Sequence, residues 1–498
     1  MTRIKKSFYN TVHGPNHHWW VLAVTSLGTF MSCYDAGAVN ISLPNIMVSF
    51  QTSLAATSWV ILAYLLTATA FLLPAGRLGD IIGRKKIYNL GFLIFIAGSF
   101  LCGFSATAIQ LILFRILQAV GVAMLQTSSF AIITASFPER DRGKALGLGS
   151  TVAAIGTTLG PSLGGLIVAA AGWRGIFFLN VPVGLLGTVL GYLVLQEGIV
   201  TSPTRQSSRN FDIGGALLAA VGIGFLLVGL SLGQEGNWTS WETQVFLGMA
   251  LLAIAAFPWY ESRQTNPLVD MGLFKNRTFS FNMAGRFICF LSISANSLLM
   301  PFYLQIVRDY SPAQAGLFIA PMSLVIATVS PVAGWLTNYI NTRILSSTGM
   351  ALMGLSLYFL SRLDPLSSYA EVLWGLTLLG LGNAVFQTPN NTSIMDSVES
   401  EKFGITSGIL SLVRNTARAL GISLASTIVV ASMFSSVGRI SIHSLKRDPS
   451  LLGSGTAALS HGIGTAFFAA SLVCIPGVIF SLIRGKTERD KGRHHITT

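Results

Sequence analysis

Fourteen stretches of this chain are apolar over a length that crosses a lipid bilayer, and nothing else in the sequence restricts the fold as strongly. They fall at about 19–46, 55–75, 87–104, 108–135, 145–171, 174–196, 213–233, 244–260, 278–306, 313–338, 344–361, 369–396, 404–435 and 459–483. In hydrocarbon each segment must satisfy its own backbone polar groups, so each is expected to be a helix. The expected fold is all-α and integral to the membrane, with fourteen transmembrane helices. Composition agrees: 51% of residues are hydrophobic and 10% charged, against roughly 25% charged in a soluble domain.

A net charge of +13 would suit a nucleic-acid partner if it lay on one polar domain. It lies instead in short loops between apolar runs, so no nucleic-acid partner is expected. About 22 Lys and Arg fall in the tails and loops of one side and about 6 in those of the other, which sets orientation. With an even number of spans, both tails (1–18 and 484–498) are expected in the cytoplasm. The basic N-terminal segment has no short apolar core followed by a cleavage site, so the first span is expected to be retained as its own insertion signal. The expected location is the cell (cytoplasmic, inner) membrane. Cys33, Cys102, Cys289 and Cys474 lie inside apolar runs without metal-ligand spacing, so no disulfide, metal or cofactor is expected.

The chain repeats itself. At an offset of 261, Gly121 pairs with Gly382, Gln126 with Gln387, Thr127 with Thr388, Gly147 with Gly408 and Gly160 with Gly421; at 258, Gly76, Leu78 and Asp80 pair with Gly334, Leu336 and Asn338. Two pseudo-symmetric six-helix bundles are therefore expected at 19–196 and 278–483. Segment 197–277 has no counterpart and reads as a linker with two inserted helices acting as a peripheral spacer. The polar stretches 203–212 and 261–278 are the candidate linkers. Related halves facing each other across a midplane cavity suit a rocking-bundle transporter.

Four groups of residues suggest mechanism. GRLGDIIGRKK, residues 76–86, is expected to be a tight cytoplasmic loop. Gly76, Gly79 and Gly83 permit turns, and Asp80 sits among Arg77, Arg84, Lys85 and Lys86, able to pair with an arginine or cap a helix. The plainer alternative is that these cations only anchor the loop to the membrane face. Asp35 lies about 13 Å from the outer end of the first span. At that depth an acid must be protonated, paired or facing water. Burial favours its neutral form and a neighbouring cation its charged form, so movement between two environments would load and release a proton. Arg115 of the fourth span lies about 9 Å below the same face, level enough to pair with Asp35 if their helices are neighbours. A purely structural ion pair is the alternative. In the fifth span, Gly156, Gly160, Gly164 and Gly165 surround Pro161 and favour close helix contact.

The second half contributes cations without a mid-membrane acid: Arg286, Arg414 and Arg418. Arg414 and Arg418 share one helix face about 15–20 Å from its inner end, whereas Arg286 is expected to reach the inner surface. Such arginines face a wet cavity or a partner, Asp396 being one candidate. With Asp35 the one obvious acid, a neutral, zwitterionic or anionic amphiphile is expected as substrate in preference to a dication. Asn40, Gln126, Gln305, Gln387, Asn390, Asn391 and Asn415 are candidates for the cavity surface, or for hydrogen bonds between helices.

Taken together, Asp35, Asn40 and Pro44; Gly76, Asp80, Gly83 and Arg84; Arg115, Gln118, Gly121 and Ala123; and Gly156, Gly160, Pro161, Gly164 and Gly165 resemble the motifs of the major facilitator superfamily, in its fourteen-helix drug:proton antiporter branch. WRGIFFLNVPVG (173–184), FDIGG (211–215), PFYLQ (301–305) and FQTPNN (386–391) extend the likeness, while Ala119 stands where the family usually has glycine. The resemblance implies export of small molecules or drugs by alternating access, driven by the proton gradient, with Asp35 and Arg115 in coupling roles. It also implies that residues 76–84 latch the halves at a cytoplasmic gate and that the fifth-span motif seals the cavity. An organic-anion uniporter or symporter of the same fold is the alternative. No HExxH, GxSxG, P-loop or paired intramembrane carboxylates appear, so an enzyme is not expected. The expected partners are a small-molecule substrate, protons and lipid, and the expected state is a monomer.

Overall fold

The computed structural model describes residues 16–196, 213–234, 238–264, 271–398, 403–437 and 452–484. The expected linker at 203–212 and nearly all of both tails lie outside the described residues. Among those described there are fourteen long α-helices and no strand: α1 His17–Phe50, α2 Leu54–Ile82, α3 Arg84–Gly103, α4 Ala108–Ser136, α5 Glu139–Ala171, α6 Arg174–Val194, α7 Ile213–Gln234, α8 Trp241–Glu261, α9 Arg277–Phe302, α10 Pro312–Leu336, α11 Thr342–Leu360, α12 Tyr369–Met395, α13 Phe403–Val437 and α14 Leu452–Ile483. Eleven are long and apolar enough to cross a membrane, and α5 and α7 carry the shorter apolar stretches Ile155–Ala171 and Leu217–Gly233. The remaining helix, α1, interrupts its apolar surface with buried Asp35 and Asn40.

Local chemistry sets the boundaries. Ser53, Thr107, Ser240, Asn276, Ser311, Asn341 and Ser368 cap the N-termini of their helices with side-chain oxygens. Ser311 with Gln314 and Ser368 with Glu371 form reciprocal capping boxes. Pro301 lacks the N–H that would continue the α-ladder, and α9 passes into a π-turn at Tyr303–Val307. The stretch 76–86 departs from the expected loop. Helix α2 continues to Ile82, Gly83 N–H bonds back to the Gly79 carbonyl at 3.1 Å, and α3 starts at Arg84. A single residue makes the turn, because Gly83 adopts φ +111°, a region that side-chain-bearing residues rarely enter.

The halves reproduce each other's packing. Within the first, α1 packs on α4, α5 and α6, α2 on α4, and α3 on α4 and α6; within the second, α9 packs on α12, α13 and α14, α10 on α12, and α11 on α12 and α14. The halves meet along two seams, α5–α10 and α2–α13, which the same pseudo-symmetry interchanges. Glycines fix the repeated contacts. A Cβ on Gly121 would lie 2.6 Å from the Gly91 carbonyl oxygen, and one on Gly382 2.8 Å from that of Gly349, so both α3–α4 and α11–α12 are held at backbone contact. The inserted α7 and α8 form a hairpin whose α7 lies against α2 and α13, covering one seam and not the other.

Candidate functional site

The residues that matter most converge at mid-depth in the first bundle. Asp35 is fully buried on α1, and Arg115 of α4 donates from Nη1 to its Oδ2 at 2.6 Å. Oδ1 accepts from Gln118 Nε2 at 3.1 Å and from Asn180 Nδ2, on α6, at 2.8 Å. The same guanidinium donates to Gln118 Oε1 at 2.6 Å and from Nε to the Val60 carbonyl of α2 at 3.4 Å, and lies 3.9 Å from the centre of the Tyr64 ring. Ser99 Oγ on α3 accepts from Gln118 Nε2 at 2.7 Å. Five helices therefore contribute to one carboxylate whose negative charge is met by one cation and two amides. Charge-assisted bonds of this kind are the strong ones, and a buried charge is tolerated where it is both paired and hydrogen-bonded.

Close packing makes the arrangement possible. A Cβ on Gly98 would lie 2.6 Å from the Gln118 backbone nitrogen, so α3 and α4 touch where Ser99 meets Gln118. On the other side of α1, a Cβ on Gly160 would lie 2.9 Å from both Gly37 Cα and Tyr34 O, one on Gly156 2.8 Å from Phe30 O, and one on Gly164 2.7 Å from Ala38 Cα. Pro161 Cδ abuts Gly37, while Gly165 and Gly316 bring α5 against α10, Gly165 facing the Pro312 carbonyl. The fifth-span motif thus joins α1, which carries the acid, to the second bundle.

The second bundle lacks the site. Gly421 contacts α9 at Leu291 O and Ser294 Cβ, as Gly160 contacts Tyr34 and Gly37, which sets Ser292 opposite Asp35. With the sequence offsets, Ser99, Arg115 and Gln118 correspond to Leu357, Leu376 and Leu379, all buried. A duplicated frame holds a polar centre in one copy and an apolar core in the other.

The remaining candidates are dispersed. Arg286 does not reach the surface as expected: it is buried, bonding the Leu410 carbonyl at 3.3 Å and Asn391 Oδ1. Arg414 and Arg418 are half-buried near the middle of α13. Arg414 Nε reaches Asn415 Oδ1 at 3.4 Å, and among the described residues neither arginine pairs with a carboxylate, Asp396 included. Both lie within electrostatic reach of Cys33 on α1, and Arg418 of Tyr64 on α2. Asn390 is buried against Asn282, and Gln387 donates to Asn383 Oδ1. Gln126 is half-buried, and the buried Asn40 leaves its Oδ1 without a partner.

Gln305 joins the two halves. It donates to the Ile41 carbonyl at 2.7 Å and accepts from Asn45 Nδ2 at 2.6 Å. With Thr158 to Ser323 O at 3.2 Å and Ser162 to Gly316 O at 3.4 Å, these bonds place the cross-half contacts toward the far end of the bundle, where α1 finishes. At the near end, Arg84 Nη1 bonds the Ala131 carbonyl at 3.1 Å within its own half, and Gly76 packs on Thr127. The side chain of Asp80 lies outside the described residues. Between α2, α7 and α13 runs a narrow cleft lined by Leu65, Thr69, Ile223, Leu412, Asn415 and Thr416 among others.

Ser99, Tyr64 and Asn180 join the site only in the folded protein. Asn180 carried a signal, being the one amide in the apolar run IFFLNVPVG; Ser99 and Tyr64 carried none, since Ser and Tyr are ordinary in membrane helices.

Residues 25–422 match the family model described as Major Facilitator Superfamily. The chain is 36% identical over 82% of its length, and 75% of the other's, to multidrug resistance protein Stp of Mycobacterium tuberculosis. It is 33% identical to riboflavin transporter RibZ of Clostridioides difficile, over 83% of this chain and 89% of that one. Its fold matches a bacterial homologue of the human lysosomal transporter Spinster, solved in an inward-facing and occupied conformation, with TM-score 0.71 at 16% identity over 94% and 97% of the two chains. With a duplicated six-helix frame, a buried charged centre in one copy and this match over most of its length, the chain is a multi-pass membrane transporter, not an enzyme, and belongs to the Major Facilitator Superfamily.

Proposed function

We propose that the protein is a proton-coupled efflux antiporter that exports small amphiphilic molecules by alternating access. The observation carrying this reading is the sealed Asp35–Arg115 pair. While the pair is closed, Arg115 neutralises the carboxylate; drawing the guanidinium away leaves a buried charge without a counter-ion, and a proton is the replacement we propose. A helix rearrangement that opens and closes the pair therefore loads and releases one proton. With the near end in the cytoplasm, as the charge bias of the loops supports, the far-end bonds of Gln305 support a reading of this conformation as closed on the outer side.

The halves 19–196 and 278–483 then rock as units about the glycine contacts of Gly156, Gly160, Pro161, Gly164 and Gly165. Segment 197–277 serves as linker and insert, and Gly76, Asp80, Gly83 and Arg84 form the cytoplasmic gate. The protein works as a monomer in the cell's inner membrane with both termini in the cytoplasm, using the proton gradient and no nucleic acid or cofactor. The substrate is a neutral, zwitterionic or anionic amphiphile. The relative named as a multidrug resistance protein supports export. A second reading, uptake of an organic anion by uniport or symport, draws support from Arg414 and Arg418 and from the relative named as a riboflavin transporter.

Inverted vesicles carrying a proton gradient and a fluorescent pH reporter test the proposal with a panel of amphiphiles. Substrate-triggered proton efflux is expected from the parent and not from Asp35→Asn. A response that survives unaltered in the variant overturns the coupling role, and accumulation only in right-side-out vesicles favours uptake.

A further inference from the structure

A second set of polar groups lies between the bundles and, apart from Tyr64, whose ring covers Arg115, takes no part in the Asp35 network. We propose that Arg414 and Arg418, together with the Tyr64 hydroxyl, bind the anionic head of the transported amphiphile, a carboxylate or sulfonate on an apolar body. The inference rests on the transport reading and narrows its substrate class.

Three observations carry it. First, the two arginines stand one turn apart on the same face of α13, 11 and 15 residues from its start at Phe403, or about 17 and 23 Å along the axis. Counted from Gly408, where the apolar span of this helix begins, they lie about 9 and 15 Å inside it. Second, they lack the partners that such a position demands. Among the described residues Arg414 has only the long bond to Asn415, and Arg418 has no hydrogen-bond or ion-pair partner. Two like charges at i and i+4 repel each other, and an anion between them would turn that repulsion into attraction. Arginines in a membrane span characteristically pair or face a polar cavity, and these two are only partly buried.

Third, the facing bundle offers a donor and no acid. Tyr64 is buried with its hydroxyl unpartnered, and its ring already covers the Arg115 guanidinium at 3.9 Å. Cys33 is the other group within reach of both arginines. Asp35, the buried carboxylate on that side, is consumed by Arg115, Gln118 and Asn180. A cationic head would meet unneutralised arginines here; an anionic head would meet two guanidinium forks and a phenol. The cleft against α2 and α7 is lined from α13 by Leu412, Asn415, Thr416 and Ala419, which lie about 130° around the helix from the two arginines, so the arginines face away from it toward α1.

The test uses the full-length protein in lipid nanodiscs and one aromatic body with three heads: pyrenesulfonate, pyrenemethanol and pyrenemethyl-trimethylammonium, each permanently charged or neutral. By fluorescence anisotropy the sulfonate is expected to bind about tenfold more tightly than the ammonium compound, the affinity equivalent of one charge-assisted bond. Arg414→Gln with Arg418→Gln should cost the sulfonate about tenfold while moving pyrenemethanol less than about twofold. Arg414→Lys with Arg418→Lys should restore most of the preference. Thermal stabilisation of the parent by the sulfonate and not by the ammonium compound checks the same point if the glutamine pair does not fold. Equal affinity for all three heads, or a sulfonate preference untouched by the glutamine pair, overturns the inference. Sulfonate preference without proton movement would fault the antiport reading alone, and proton movement without head-group preference would fault this site alone.

Discussion

Replacing Asp35 with Asn keeps the shape of the site and removes its one negative charge, so the cost can be worked from the contacts. The carboxylate accepts from Arg115, Gln118 and Asn180. In the variant, Arg115 stays buried with no counter-ion, and one end of the new amide points an N–H toward other donors. Breaking a buried pair from one side costs about 3–5 kcal/mol. Arg115 still has Gln118 Oε1, the Val60 carbonyl and the Tyr64 ring, which places the expected loss at the lower end, about 3 kcal/mol. Arg115→Gln should cost a similar amount by stranding the acid. The double variant strands neither charge, so its loss should fall short of the sum by about 2–3 kcal/mol. Unfolding in graded dodecyl sulfate, followed by far-UV circular dichroism on all four proteins, measures the cycle. Additivity within about 0.5 kcal/mol, or a single Asp35→Asn variant as stable as the parent, would refute the view that these two charges neutralise each other.

Gly160→Ala places a methyl 2.9 Å from Gly37 Cα and Tyr34 O, both backbone, so α1 and α5 must separate. A loss of about 1–3 kcal/mol and slower transport are expected, whereas Gly248→Ala on α8, where nothing lies within 4 Å, should leave flux unchanged and stability equal or raised by up to about 1 kcal/mol. Asn45→Cys with Gln305→Cys, on a background lacking the four native cysteines, should be bridged by a short bis-methanethiosulfonate, which forms a disulfide with each thiol as sulfinate leaves and is cleaved by reductant, since the parent side chains meet at 2.6 Å. The bridge is expected to stop transport and its cleavage to restore it. Transport that persists through the bridge would mean that the far end does not open during the cycle.

The amino-acid order alone determined the fourteen helices, because solvating a backbone in lipid leaves only the helix for segments of this length and apolarity. Most of their boundaries match the apolar runs, since polar loops with Ser, Thr and Asn caps interrupt them. The duplication was legible for the same reason that it persists in the fold: Gly121 and Gly382 each hold a helix pair at backbone contact, and no side chain fits there. Asp35 and Arg115 stood out because charge is rare at that depth. The one-residue turn at Gly83 was not legible, because charged residues and glycines read as loop while the helix carries them beyond the apolar span.

Only the tertiary structure decided which groups complete the charge. Ser99, Gln118, Tyr64 and Asn180 come from four different helices, and no local pattern ties a serine at 99 to an amide at 180. Likewise, Gln305 could have faced a cavity or a neighbour, and the crossing of α1 with the end of α9 settled on the neighbour. A sequence records how much each residue dislikes lipid. Which polar groups relieve one another is fixed by how the helices cross, and that is a property of the packed whole.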